Sequence, residues 1–168
     1  LWKEIGFLRP EIGMDEWPVS AGPDLHRRGV YTFWRRVCTY PTFATFDAPS
    51  RDQCTSRRPR TNTPLQALAG LNDPALLEAA GALAQRILRE GGNSTESRVE
   101  FAFRLCTSRK PSSVESERLT RYVTQQEQAY RNSLSEAAEL LHSSQGKLVP
   151  GQTPESLAAW TMLANVLL

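Results

Sequence analysis

Apolar residues fall into two regimes along this chain, and the change comes near Asn62. Downstream of it they recur at helical spacing. Leu76, Ala80, Leu83 and Ile87, with Leu77, Ala84 and Leu88, make one stripe, while Glu78, Gln85, Arg86 and Arg89 lie off it. This predicts a helix that stops at Gly91-Gly92. Val99, Ala102, Phe103 and Cys106 mark a second helix, running roughly from Thr95 to Cys106. Leu119, Tyr122, Val123 and Gln126 mark a third, polar enough to be expected exposed, which continues or breaks near Asn132 before Leu134, Ala137, Leu140 and Leu141. After a loop at Ser143–Gly146, a last helix presents Leu157, Trp160, Leu163, Ala164 and Leu167. Start signals agree with the stripes. In Thr63-Pro64, Asp73-Pro74 and Thr153-Pro154 a capping oxygen precedes a proline whose missing N–H costs nothing at the first helical position, and Ser112-x-x-Glu115 has capping-box spacing.

Upstream, residues 1–45 hold Trp2, Trp17 and Trp34 among scattered Pro and Gly with no sustained period. Val30–Trp34 fits a short strand or a helix start. The expected fold class is mainly α, a bundle of about five helices with an irregular, Trp-rich N-terminal arm. Two parts are expected: residues 1–61, arm and Arg-rich loop, packing on an upstream domain, and residues 62–168, the helical domain. Leu1 is not an initiator Met and Leu168 falls inside an apolar helical run, so both ends read as cuts in a longer chain.

Composition changes this picture only through its distribution. Hydrophobic content of 40% and charged content of 23% are ordinary for a globular protein, and a net charge of +2 gives no ground for nucleic acid as a partner. Yet between His26 and Arg60 stand Arg27, Arg28, Arg35, Arg36, Arg51, Arg57, Arg58 and Arg60 against only Asp47 and Asp52. Both acids neighbour arginines, which keeps them ionised and disfavours a general-acid role. Cys38, Cys54 and Cys106 lack Cys-x-x-Cys spacing, so no metal site and no haem attachment are expected in this segment, nor is a membrane span.

The run Asp47–Leu68 concentrates the candidate chemistry. Arg51, Arg57, Arg58 and Arg60, with the hydroxyls and amide of Thr61, Asn62 and Thr63 at a helix start, suit an oxyanion such as sulfate, phosphate or an anionic polysaccharide. The competing reading pairs these arginines with carboxylates of upstream domains or with carbonyls of the arm. Cys54 lies between Arg51 and Arg57, where positive charge favours a thiolate, although neither His26 nor His142 is near in sequence; a buried structural thiol explains it as well.

The same run resembles the PSD domain, a planctomycete-type domain of unknown function (1553) found downstream of cytochrome c-like domains in large exported proteins. The resemblance rests on Tyr31-Thr32-Phe33-Trp34-Arg35-Arg36, Thr45-Phe46-Asp47-Ala48-Pro49-x-Arg51-x-x-Cys54 and Arg57-Arg58-x-x-Thr61-Asn62-Thr63-Pro64-Leu65-Gln66-Ala67-Leu68. Leu71-Asn72-Asp73-Pro74, Arg98-x-x-Phe101 through Cys106, and Ala159-Trp160-Thr161 extend it over roughly residues 4–168. It implies an exported protein of the periplasm or cell envelope, with upstream domains of the same polypeptide as partners and haem c carried by those domains. In an oxidising envelope a Cys38–Cys54 disulfide joins the readings of Cys54. Two functions follow as expectations: a C-terminal interaction or scaffold domain, or part of an enzyme acting on sulfated polysaccharide.

Overall fold

The computed structural model describes residues 22–32, 39–51, 53–148 and 150–168. The tryptophans of the expected arm, Trp2, Trp17 and Trp34, lie outside them. Of the stretch read as strand or helix start, Gly29–Tyr31 forms a 3-10 turn, following another at Gly22–His26, and Phe33 and Trp34 again lie outside. Among the described residues seven α-helices follow: α1 Pro41–Thr45, α2 Pro64–Asn72, α3 Pro74–Glu90, α4 Thr95–Thr107, α5 Ser113–Asn132, α6 Leu134–Ser143 and α7 Pro154–Leu167. The described residues contain no strand. The chain divides into two compact units, one up to Gln66 and one from Ala67 to Leu168.

Every expected capping residue caps. Asp73 accepts from the amides of Ala75 and Leu76, Thr153 from Ser156 and Ser112 from Glu115. Glu115 closes the capping box by accepting from the Ser112 amide at 2.8 Å. α3 stops at Gly91, and Gly92, at φ +87°, turns the chain into α4 in a conformation that side chains disfavour. The break after Asn132 is real, with Ser133 between α5 and α6.

In the helical unit α7 is the axis, packed against α3, α5 and α6. Eight of its fourteen residues are buried: Leu157, Ala158, Ala159, Trp160, Thr161, Leu163, Ala164 and Asn165. A stripe of five was legible in sequence; the rest of the buried surface is alanine, threonine and asparagine, which carry little hydropathy. Thr161 satisfies itself by donating to the Leu157 carbonyl at 2.8 Å. Asn165 donates through Nδ2 to the Leu71 carbonyl at 3.1 Å, taking up an acceptor near the C-terminus of α2 that Pro74 and the Asp73 cap leave open. Ile87, Val99, Val123, Leu157, Trp160 and Leu163 form the centre of the core, with Ala80 and Ala84 of α3 facing it. Gly81 is required by close approach: a Cβ there would meet the Ser144 carbonyl at 2.6 Å.

α5 is less exposed than its polarity suggested. Only Val123 is fully buried, but Leu119 and Tyr122 pack on the core and Glu127 accepts from Ser156 Oγ of α7 at 2.8 Å. At its start Arg109 grips Glu115 with both fork nitrogens, at 2.9 and 2.6 Å, while lying 4.7 Å from the Phe103 ring centroid. The Arg109 hydrogen bonds first, then the Ser112 amide, lower the Glu115 carboxyl to about 2. A carboxyl lowered on folding stabilises above its unfolded value of 4.5 and loses that contribution as pH falls through about 2. The difference in melting temperature between the parent chain and Glu115→Gln should therefore be full at neutral pH and shrink across that window. A constant difference down to pH ~2 would show that the Glu115 charge, gripped by Arg109, does not stabilise the fold.

Candidate functional site

Within the first unit, Pro41 opens α1 at its first turn. The Tyr40 and Phe43 rings meet edge to face at 5.5 Å, and Gly29 packs so closely on Phe43 that a Cβ would lie 2.9 Å from its Cε1. The end of α1 is a Schellman motif: the Ala48 amide donates to the Phe43 carbonyl at 2.8 Å and the Asp47 amide to Ala44 at 3.3 Å. Glycine usually occupies the left-handed position of that motif. Here Asp47 does, at φ +58°.

That conformation makes Asp47 a hub. Its carboxylate accepts from the Thr61 amide at 2.7 Å, from Thr61 Oγ1 at 2.9 and 2.7 Å, and from Gln66 Nε2 at 3.3 Å. The hydroxyl carries one proton, so the two Thr61 Oγ1 distances describe one shared bond. Gln66 Nε2 also donates to the Thr45 carbonyl at 3.0 Å. Arg58 closes the brace from the other side, donating to the carbonyls of Asp47, at 2.9 Å, and of Phe46. The Thr61 hydrogen bonds are the main cause holding the Asp47 carboxyl below the ordinary aspartate range; Gln66 and the Arg58 charge add to it. The brace is therefore charged and intact at neutral pH.

Gln66 has a second duty. Its Oε1 accepts from the Thr63 backbone N–H at 3.1 Å and its own backbone N–H donates to Thr63 Oγ1 at 3.3 Å, a capping box at the start of α2. With Pro64 carrying no N–H, little of this helix start is left open to an anion.

The seven residues expected to bind an anion therefore separate. Arg58, Thr61 and Thr63 are spent on the protein's own carbonyls, carboxylate and amides. Arg57, Arg60 and Asn62 are exposed, and their side chains bond to none of the described residues. Arg51, at φ +69°, has an interaction partner of its own. Arg58 follows the reading that set arginines on carbonyls of the arm, gripping those of Asp47 and Phe46, whereas Arg57 and Arg60 stand in solvent. Cys54 is an exposed free thiol, whereas Cys38, its disulfide candidate, and Asp52 lie outside the described residues. Cys106 is half-buried, and burial pushes its thiol up. Among the described residues no cluster of His, Cys, Asp or Glu could hold a metal, and no helix is long and apolar enough to cross a membrane.

Asp47 and Gln66 are the residues that sequence reasoning missed as centres. Thr63-x-x-Gln66 was legible as a capping box; the left-handed Asp47 left no local signal. Replacing Asp47 with asparagine removes the charge and one of the two acceptor oxygens that face Thr61. Amide exchange at Thr61 should accelerate severalfold while exchange in α3 and α7 stays unchanged; equal rates at Thr61 would remove Asp47 from its central role.

A family model described as PSD1, protein of unknown function (DUF1553), matches residues 6–123, more than half of the chain. No curated protein and no solved structure matches. The match is narrower than the sequence resemblance: it ends inside α5, although α7 completes the core.

Proposed function

The chain belongs to the PSD1 family of proteins of unknown function, and we propose that it is an interaction and scaffold domain of a larger, exported, planctomycete-type protein. On this reading the Arg-rich loop docks onto upstream cytochrome c-like domains of the same polypeptide. Haem c would attach to those domains, since Cys38, Cys54 and Cys106 offer no Cys-x-x-Cys-His. One observation carries the reading: Arg58, Thr61 and Thr63 brace the loop from within, while Arg57 and Arg60 stand exposed without a bonding partner among the described residues. A surface of that kind suits docking, because a partner meets a loop that is already ordered.

The test supplies the 168-residue chain in trans to the full-length protein lacking it, and measures association by sedimentation. A stable complex is expected, and separate sedimentation would overturn the reading. The same exposed arginines favour a second reading, part of an enzyme that binds sulfated polysaccharide. It predicts retention of the chain on sulfated dextran, lost when Arg57 and Arg60 are both alanine.

A further inference from the structure

We propose that the Asp47 brace is a presentation device, holding Arg57 and Arg60, with Asn62 beside them, for the carboxylates of an acidic segment on a partner protein. The inference rests on the docking reading above and names its chemistry. Bonded and unbonded side chains interleave along the segment: Arg58, Thr61 and Thr63 bond back to the protein, and Arg57, Arg60 and Asn62 do not. Anchoring residues thus fall between the free ones, and Pro59 fixes φ between the two arginines. Each anchor removes backbone freedom that a ligand would otherwise have to freeze, so two guanidinium groups are offered at reduced entropic cost.

The charge is one-sided. From Ser50 to Thr63 the sequence holds four arginines against Asp52, and the neighbouring carboxylate of Asp47 is consumed by Thr61 and Gln66. A guanidinium fork matches a carboxylate bidentately. Arg57 and Arg60 are three positions apart, at most about 10 Å along an extended chain, so one short acidic segment can meet both. Sugar and nucleobase ligands are disfavoured by composition, since no aromatic residue stands between Ala48 and Thr63 to stack on a ring.

The experiment uses the whole chain and a fluorescein-labelled Glu-rich peptide, with its Gln counterpart and a sulfated oligosaccharide as comparison probes, read by anisotropy. The Glu peptide should bind and the Gln peptide should not. Affinity should fall about tenfold in Arg57→Ala/Arg60→Ala and drop as salt rises. Arg57→Lys/Arg60→Lys should fall between, keeping charge and losing the fork. Asp47→Asn should weaken binding with helical content unchanged. Unchanged affinity in the double alanine variant, or tighter binding of the sulfated probe, overturns the proposal; unchanged affinity in Asp47→Asn overturns the presentation role. If the peptide fails while the trans complex survives, the arginine site falls and the docking reading stands. Loss of the trans complex removes the docking reading itself.

Discussion

Replacing Trp160 with alanine lowers the stability of the helical unit by an expected ~3–5 kcal/mol. Trp160 is 1% exposed and is the largest fully buried side chain among the described residues. Its neighbours in the core come from α3, α4 and α5 as well as from α7, so no single helix can move in to fill the void. Domains of this size are stable by about 5–15 kcal/mol, which makes the loss a large share of the total and shifts the melting temperature by more than about 10 °C. Val166 on the same helix is 52% exposed, and its alanine variant should stay within about 0.5 kcal/mol. Denaturant melts of the two variants check the pair. Equal effects would mean that α7 is not the axis of the core.

Ending the chain after Gly146 should abolish cooperative folding of the second unit. The deletion removes Leu157, Trp160 and Leu163, each worth about 1.5–3 kcal/mol of burial, and uncovers the faces of α3, α5 and α6 that pack on α7. It also strips Asn165 from the Leu71 carbonyl. Residual helix content with exposed apolar surface, a broad melt and dye binding are expected. A sharp melt near the parent temperature would show that the folding unit does not need α7, which lies beyond the family match.

Local rules were legible in the sequence wherever one element sufficed to state them. The caps at Thr63, Asp73, Ser112 and Thr153, the stop at Gly91 and the stripe of α3 depend on residues within a turn or two of one another. What depended on distant partners was not. α7 reads as amphipathic because Ala158, Ala159 and Thr161 carry little hydropathy, and only the packed helices around it show that eight of the nine residues from Leu157 to Asn165 are buried. The site repeats the lesson. Residue types alone grouped Arg58, Thr61 and Thr63 with Arg57 and Arg60 as ligand contacts, whereas Asp47, at positive φ and far along the chain, claims Thr61 and places its own carbonyl under Arg58. A single residue in the left-handed region redirected the chemistry of the loop.

The most direct test of the central claim, that this loop is braced from within and docks through its exposed arginines, is amide hydrogen exchange over residues 53–63. It compares the 168-residue chain alone with the same residues inside the full-length protein. The account predicts that the Thr61 amide is protected in both, because Asp47 holds it, and that the amides of Arg57, Arg58 and Arg60 gain protection only in the full-length protein. Identical exchange at those three amides in the two contexts would contradict it.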